Sequence, residues 1–181
     1  MLFIYRIAIN IILLISPLII IYRIIKKKED PKRFFEKIGK FDESSNNNLI
    51  WFHGSSVGEI LSIIPLVENL EKNKYIHTIL ITSSTLSSSA VLKKYKLKKT
   101  IHQFFPIDFI FFTNKFINYW KPTIAIFIES EIWPSIFLGL KKKSIPLLLI
   151  NARITKKTFK RWKKLSFFSK NIFNKIHLAY P

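Results

Sequence analysis

Cysteine is absent from the 181 residues. That excludes disulfide scaffolds, thiolate zinc sites and cysteine nucleophiles, and it leaves the redox compartment open. Acidic side chains are scarce, with 11 Asp and Glu against 30 Lys and Arg, for a net charge of +19. Arginine and alanine are scarce too: five each, against 25 lysines and 33 isoleucines. This skew is what an AT-rich coding sequence produces, so the basicity alone says little about a partner. No pair among His53, His77, His102 and His177 has metal-ligand spacing, and no metal is expected. What remains is 49% hydrophobic and 23% charged, the composition of a folded chain with room for one domain of ordinary size.

The apolar residues begin with residues 7–21, IAINIILLISPLIII, interrupted only by Asn10, Ser16 and Pro17. Arg6 and Arg23 bracket a segment that as a helix spans roughly 24 Å, against about 30 Å of bilayer hydrocarbon. Snorkelling arginines and the flanking Leu2, Phe3, Ile4, Ile24 and Ile25 cover the shortfall. No small-residue cleavage site follows, so residues 1–25 read as an uncleaved membrane anchor rather than a signal peptide. Arg23, Lys26, Lys27, Lys28, Lys32 and Arg33 crowd its C-terminal side, which places the rest of the chain in the cytoplasm by the positive-inside rule. Residues 26–48 are polar and read as a juxtamembrane connector with a short helix near Arg33–Ile38.

From residue 49 onward, short apolar runs alternate with longer amphipathic ones. Strands are predicted at Leu49–His53, Thr78–Thr82, Ile101–Phe105, Thr123–Ile128 and Ile145–Ile150. Helices are predicted at Glu59–Lys72, Thr85–Tyr95, near Phe109–Tyr119 and at Ile132–Lys141. Strands of this length, apolar on both faces, belong in a parallel sheet covered by helices on both sides. The expected fold is therefore α/β, a Rossmann-like parallel sheet over residues 49–181.

In such sheets chemistry gathers at the carboxyl ends of the strands, and every predicted strand here ends in polar residues. The first ends in His53-Gly-Ser-Ser-Val-Gly-Glu59. Its free amides and glycines suit an anion or a closely approaching ligand, which makes Ser55, Ser56 and Gly58 candidate binding residues. It is neither a Walker loop nor a GxGxxG fingerprint. Glu59 has two readings: the acidic member of a capping box with Ser56, or a general base. Glu129 and Glu131, two apart at a strand end, are expected to point the same way and to raise one another's proton affinity. Their structural reading is a helix start, with Ser130 as cap and Pro134 in the first turn. His53 could border the site, although a lone strand-end histidine reads more simply as structural. Asn151-Ala-Arg153 offers a fixed charge for an anion, or a turn. Residues 132–181 hold 12 Lys or Arg and no Asp or Glu, which is either a solvated face or a surface for anionic lipid.

Several of these stretches occur together in one known family. The sequence resembles the N-terminal half of the 3-deoxy-D-manno-octulosonic acid (Kdo) transferases of Gram-negative lipopolysaccharide synthesis. The resemblance lies in Lys28-Glu-Asp-Pro31, Trp51-Phe-His-Gly-Ser-Ser-Val-Gly-Glu59, Ile64-Pro-Leu66, His102-Gln103 with Pro106 and Asp108, Glu129-Ser-Glu-Ile-Trp-Pro134, Ile145-Pro-Leu147 and Asn151-Ala-Arg153. It implies the N-terminal domain of a GT-B glycosyltransferase, attached to the cytoplasmic face of the inner membrane. It further implies inverting, metal-independent transfer of Kdo from CMP-Kdo to a 6′-hydroxyl of the lipid A precursor, without a cofactor. Carried over, Glu59 matches the general base, and Glu129 with Glu131 a carboxylate pair needed for activity, Glu129 foremost. Ser55, Ser56, Gly58 and Arg153 fall on the acceptor side. The family's CMP-binding residues lie in a second domain. The sequence ends near where that domain should begin, so the chain is expected to be inactive unless a separate C-terminal half complements it.

Two other functions compete: a non-catalytic membrane-bound remnant binding anionic lipid, and nucleic-acid binding. The second has only the basic pI in its favour; arginine is scarce and no recognised binding motif occurs.

Overall fold

The computed structural model describes residues 18, 20–41, 48–129 and 131–181, without the side chain of Phe168. Most of the predicted anchor, and Ser130 with its proposed cap, lie outside the described residues. Residues 20–25 are helical and expose Ile21, Tyr22 and Ile25. Among the described residues no helix is long and apolar enough to cross a membrane.

Strands and helices alternate: β1 (Leu49–His53), α1 (Val57–Glu71), β2 (Thr78–Ser83), α2 (Leu86–Leu92), β3 (Thr100–Phe104), α3 (Ile110–Trp120), β4 (Ile124–Ile128), α4 (Pro134–Lys142), β5 (Leu147–Ile150), α5 (Lys156–Lys164), α6 (Ser166–Phe173) and β6 (Leu178–Ala179). The strands form one six-stranded sheet in the order β3-β2-β1-β4-β5-β6. Every neighbouring pair is parallel.

Side chains alternate across a strand, and the two faces of this sheet bury separate clusters. Leu49, Trp51, Ala125, Phe127, Leu147 and Leu149 pack with Phe116, Trp120, Phe137, Leu140 and Ile172 of α3, α4 and α6. Phe52, Ile79, Ile81 and Ile128 pack with Ile60, Ile63, Ile64, Val67 and Leu92 of α1 and α2. The chain builds outward from β1 to β3, then crosses back to lay β4 on the other side of β1. The strand order therefore reverses between β1 and β4. The loops leaving these two strands turn to opposite faces and leave a crevice between them, the usual ligand site in open α/β sheets.

The described part of the connector, residues 26–41, packs onto the domain. Its expected short helix is a 3₁₀ turn, Phe34–Ile38, docked on the edge strand β3. Arg33 donates to the carboxylate of Glu36 (3.0 Å), the hydroxyl of Ser89 (3.2 Å) and the carbonyl of His102 (2.9 Å). Glu36 accepts the backbone N–H of Phe104 at 2.8 Å. Glu29, nearly buried, pairs with Lys37 (2.7 Å) and Arg23 (3.1 Å). Phe41 packs edge-on against Phe116 of α3. Covering the edge in this way occupies the Phe104 N–H and the His102 carbonyl, backbone groups that would otherwise invite another strand.

Candidate active site

The first wall of the crevice is the β1–α1 loop. Gly54 is needed here for space: a Cβ on it would lie 3.1 Å from the Glu59 Cβ and 3.2 Å from the Ile128 Cδ1. Its absence lets the loop fold down onto β4 and α1. Ser56 caps α1, its hydroxyl accepting the Glu59 N–H at 3.2 Å. The Glu59 carboxylate accepts the Ser55 N–H at 2.8 Å rather than that of Ser56, so the capping box is displaced by one residue. Glu59 is 8% exposed. Gly58 is exposed and open on its outer side, with only the Ser56 hydroxyl near the space a Cβ would fill. Ser56 is likewise exposed, and the Ser55 hydroxyl lies 3.2 Å from that of Ser84 at the end of β2.

The second wall is the β4–α4 loop, and it divides the two glutamates expected to act as a pair. Glu129 has a left-handed backbone (φ 59°), an unusual conformation for a side chain-bearing residue. With Arg153 it lines a cavity of about 210 Å³ over β5 whose other walls include Leu149, Trp162 and Phe173. Glu131 turns the other way, toward β1: it accepts the Trp133 indole N–H at 2.8 Å and lies 3.6 Å from the Nε2 of His53. The expected mutual repulsion is not what governs Glu131. Burial pushes its carboxyl up, but the His53 ring, the Ser55 side chain and the Trp133 indole favour the anion and hold it below the usual glutamate range. Neither Glu129 nor Glu59 is among the main influences on it.

Glu131 and Glu59 thus share Ser55 as a neighbour: it bonds Glu59 through its backbone and favours the Glu131 anion through its side chain. His53 lies beneath them. It is fully buried, stacked on Phe105 at 3.8 Å between ring centres and flanked edge-on by Phe127 and Trp133. Its Nδ1 sits 3.0 Å from the Thr82 hydroxyl, which accepts the Trp51 indole N–H at 2.8 Å. Burial lowers its pKa below the ordinary imidazole value, outweighing the pull of Glu131, the Thr82 carbonyl and Glu59, so the ring is neutral at pH 7.

Residues 32–181 match the family model for 3-deoxy-D-manno-octulosonic-acid transferase (kdotransferase). The chain belongs to the Kdo transferase family. It is 43% identical over 152 residues to the 3-deoxy-D-manno-octulosonic acid transferase of Rickettsia bellii (strain RML369-C), an overlap covering 83% of this chain and 36% of the relative. A probable mitochondrial Kdo transferase of Arabidopsis thaliana is 35% identical over 164 residues, covering 88% of this chain and 37% of that protein. The Haemophilus influenzae transferase is 27% identical over 174 residues, covering 93% and 41%. The chain thus spans roughly a third of the length of the curated relatives it matches.

Within this glycosyltransferase family, the site departs from the expectation drawn from spacing. Glu59, Ser55 and Glu131 come together, whereas Glu129 and Arg153 share a neighbouring cavity. Arg153 is exposed and its Nε donates to the Asn151 side chain at 3.2 Å. Residues that spacing did not bring out are Trp133, which holds Glu131, and Thr82, which holds His53. The one sequence cue for Trp133 is its place in Glu-Ser-Glu-Ile-Trp-Pro. Thr82 carries none, since a strand-end threonine is common.

Proposed function

We propose that this chain supplies the acceptor side of a Kdo transferase that moves Kdo from CMP-Kdo to a hydroxyl of the lipid A precursor, with inversion and without a metal ion. The reading rests on Glu59 and Glu131 both lying beside Ser55 at the reversal point of the sheet, where a sugar hydroxyl entering the crevice would meet a carboxylate. The acceptor oxygen attacks the anomeric carbon of Kdo. The new C–O bond forms as the bond to the CMP phosphate breaks, CMP leaves with the electron pair, and the hydroxyl proton passes to Glu59. Ser55, Ser56 and the open backbone at Gly58 line the approach, while Arg153 and Glu129 contact the acceptor from the neighbouring cavity. The nucleotide is held by a second domain from outside this sequence, because donor and acceptor must be aligned across a cleft. The N-terminal apolar segment keeps the site at the cytoplasmic face of the inner membrane, where the acceptor resides.

The test is to co-express the chain with the C-terminal half of a relative and assay Kdo transfer to lipid A precursor. Transfer should appear with the pair and fall at least about 10²-fold in Glu59→Gln, the lower end of what a positioned base contributes. Undiminished transfer in that variant removes Glu59 from the role of base.

A second reading has its own support. Helix α5 carries Lys156, Lys157, Lys160, Arg161, Lys163 and Lys164, with Phe159 exposed on it and Ile154 and Phe167 exposed beside it. A basic surface studded with exposed apolar groups suits an anionic bilayer, and binding there needs no catalysis. This reading predicts vesicle binding that weakens with salt and is indifferent to Glu59→Gln.

A further inference from the structure

His53 is a buried polar group in an aromatic box, and burial of that kind is costly unless each polar atom is used. Its Nδ1 is used by Thr82. Its Nε2 has no hydrogen-bond partner among the described residues, and the atom it faces is the Glu131 Oε2 at 3.6 Å. That distance exceeds a normal hydrogen bond, and the Glu131 oxygen is the polar atom that His53 meets within its surround of Phe105, Phe127 and Trp133.

The proton of the neutral ring can be placed from its surroundings. The Thr82 hydroxyl accepts from Trp51 and has one proton of its own to give. The His53 Nδ1 at 3.0 Å is nearer than the Phe52 carbonyl at 3.3 Å. If Nδ1 accepts that proton, the ring proton sits on Nε2 and points at Glu131. The opposite tautomer aims Nδ1–H at the Thr82 carbonyl, 3.2 Å away. It also sets the Nε2 lone pair against a carboxylate oxygen. A full negative charge repels a lone pair more than a carbonyl dipole does, so the Nε2–H form is preferred. The result is a directed chain: Trp51 N–H to Thr82, Thr82 O–H to His53, His53 N–H toward Glu131. Its first three members are fully buried, so the chain is rigid where it starts and ends at a carboxylate on the crevice wall.

We propose that His53 is a positioning residue for the transfer reaction: through its Nε2–H it fixes the Glu131 carboxylate, as an anion and in one orientation, beside Glu59. This rests on the transferase reading given above and adds a division of labour to it. Glu131, gripped by His53, Ser55 and Trp133, serves as a fixed negative charge rather than a proton carrier, which leaves the proton to Glu59. Two carboxylates in one site take different roles when their surroundings differ in this way. The titratable groups that face the imidazole are Glu131 from the β4–α4 loop and Glu59 from α1.

The experiment uses the full chain in two arms. In the first, NMR follows the Trp133 indole N–H, assigned by its loss in Trp133→Phe, as a reporter of Glu131 protonation. His53→Phe keeps the stacked ring and deletes the donor; His53→Gln restores an N–H near the Nε2 position. The Glu131 midpoint should rise by about one pH unit in His53→Phe, because burial is then less opposed, and return toward the wild-type value in His53→Gln. A folded His53→Phe chain with an unmoved midpoint, or a His53→Gln midpoint equal to that of His53→Phe, overturns the proposal. In the second arm, the chain complemented with a relative's C-terminal half is assayed for Kdo transfer. His53→Phe should lower kcat about 10²-fold with little change in KM. Adding Glu131→Gln to it should cost little more, because the two act as a unit; fully multiplicative losses overturn the coupling. Absence of transfer by the unsubstituted pair refutes the transferase reading, and the first arm still decides the role of His53.

Discussion

Replacing Asp108 by alanine should weaken the fold and loosen the site at once. Helix α4 starts at Pro134 with no cap from its own chain neighbours. Asp108, from the loop after β3, takes that place: its carboxylate accepts the N–H of Ser135 at 3.1 Å and of Ile136 at 3.0 Å. Its backbone carbonyl accepts the Ser135 hydroxyl at 2.9 Å. Asp108 is 4% exposed and Ile136 fully buried, so water cannot take over when the carboxylate is removed. Loss of a cap costs about 0.5–2 kcal/mol, and leaving a buried donor unsatisfied adds about 1–3 kcal/mol. Because the two overlap, about 3 kcal/mol is expected, or a Tm lower by roughly 6–12 °C for a chain of this size. Asp108→Asn keeps one acceptor oxygen and should cost about half as much. Urea unfolding followed by tryptophan fluorescence measures both, with an unchanged m-value. The Trp133 indole signal should move as well, since Trp133 directly precedes the uncapped turn and holds Glu131. A cost below about 0.5 kcal/mol for the alanine variant would refute the assignment of Asp108 as the α4 cap.

Three further outcomes follow from other parts of the molecule. His102 is buried beside Arg33 and Lys93, and its pKa is lowered from 6.5 to about 3 by burial first and by the two cations second. The unfolded chain then binds the extra proton between pH 6.5 and about 3, so the stability His102 contributes is complete above pH 6.5 and is lost as pH falls through that window; His102→Gln should flatten the slope of stability against pH there. Arg33→Lys keeps a charge but loses the fork that joins Glu36 within the connector to Ser89 and His102 on the sheet side, and should cost about 1–2 kcal/mol in urea unfolding; an equal stability would mean that the connector docks without the Arg33 fork. Gly54→Ala should cost about 1–3 kcal/mol by crowding Glu59 and Ile128, and in the complemented assay should depress transfer further than its stability loss explains; a neutral result would show that the loop can shift freely.

Much of the fold was legible locally. The short apolar run predicted as a strand at Thr78–Thr82 is the strand Thr78–Ser83, buried at every position, and Ser56 and Thr85 mark helix starts through side-chain oxygens that accept the N–H three residues on. Five of the strands and the four helices between them were predicted within a few residues. Helices α5 and α6 and strand β6 were not, because α5 is so rich in lysine that only Phe159 and Trp162 mark its apolar side, and β6 is only two residues long. The connector looked like a linker because polar residues are what a solvated segment also has; Arg33 and Glu36 are spent on β3, whose distance along the chain gives no local sign.

The sequence by itself determined five of the six strands, where the four helices between them begin, and that Glu59 opens the helix after the first strand while the two later glutamates follow the fourth. It did so because hydrophobic period and capping are short-range. Only the tertiary structure decided that β4 lies beside β1 rather than beside β3, since pairing among parallel strands is set by crossovers and packing on both faces, and runs apolar on both sides carry no preference for a neighbour. That choice brings Glu131 to Ser55 and His53, sends Glu129 to another cavity through one left-handed residue, and turns a lone strand-end histidine into part of the site.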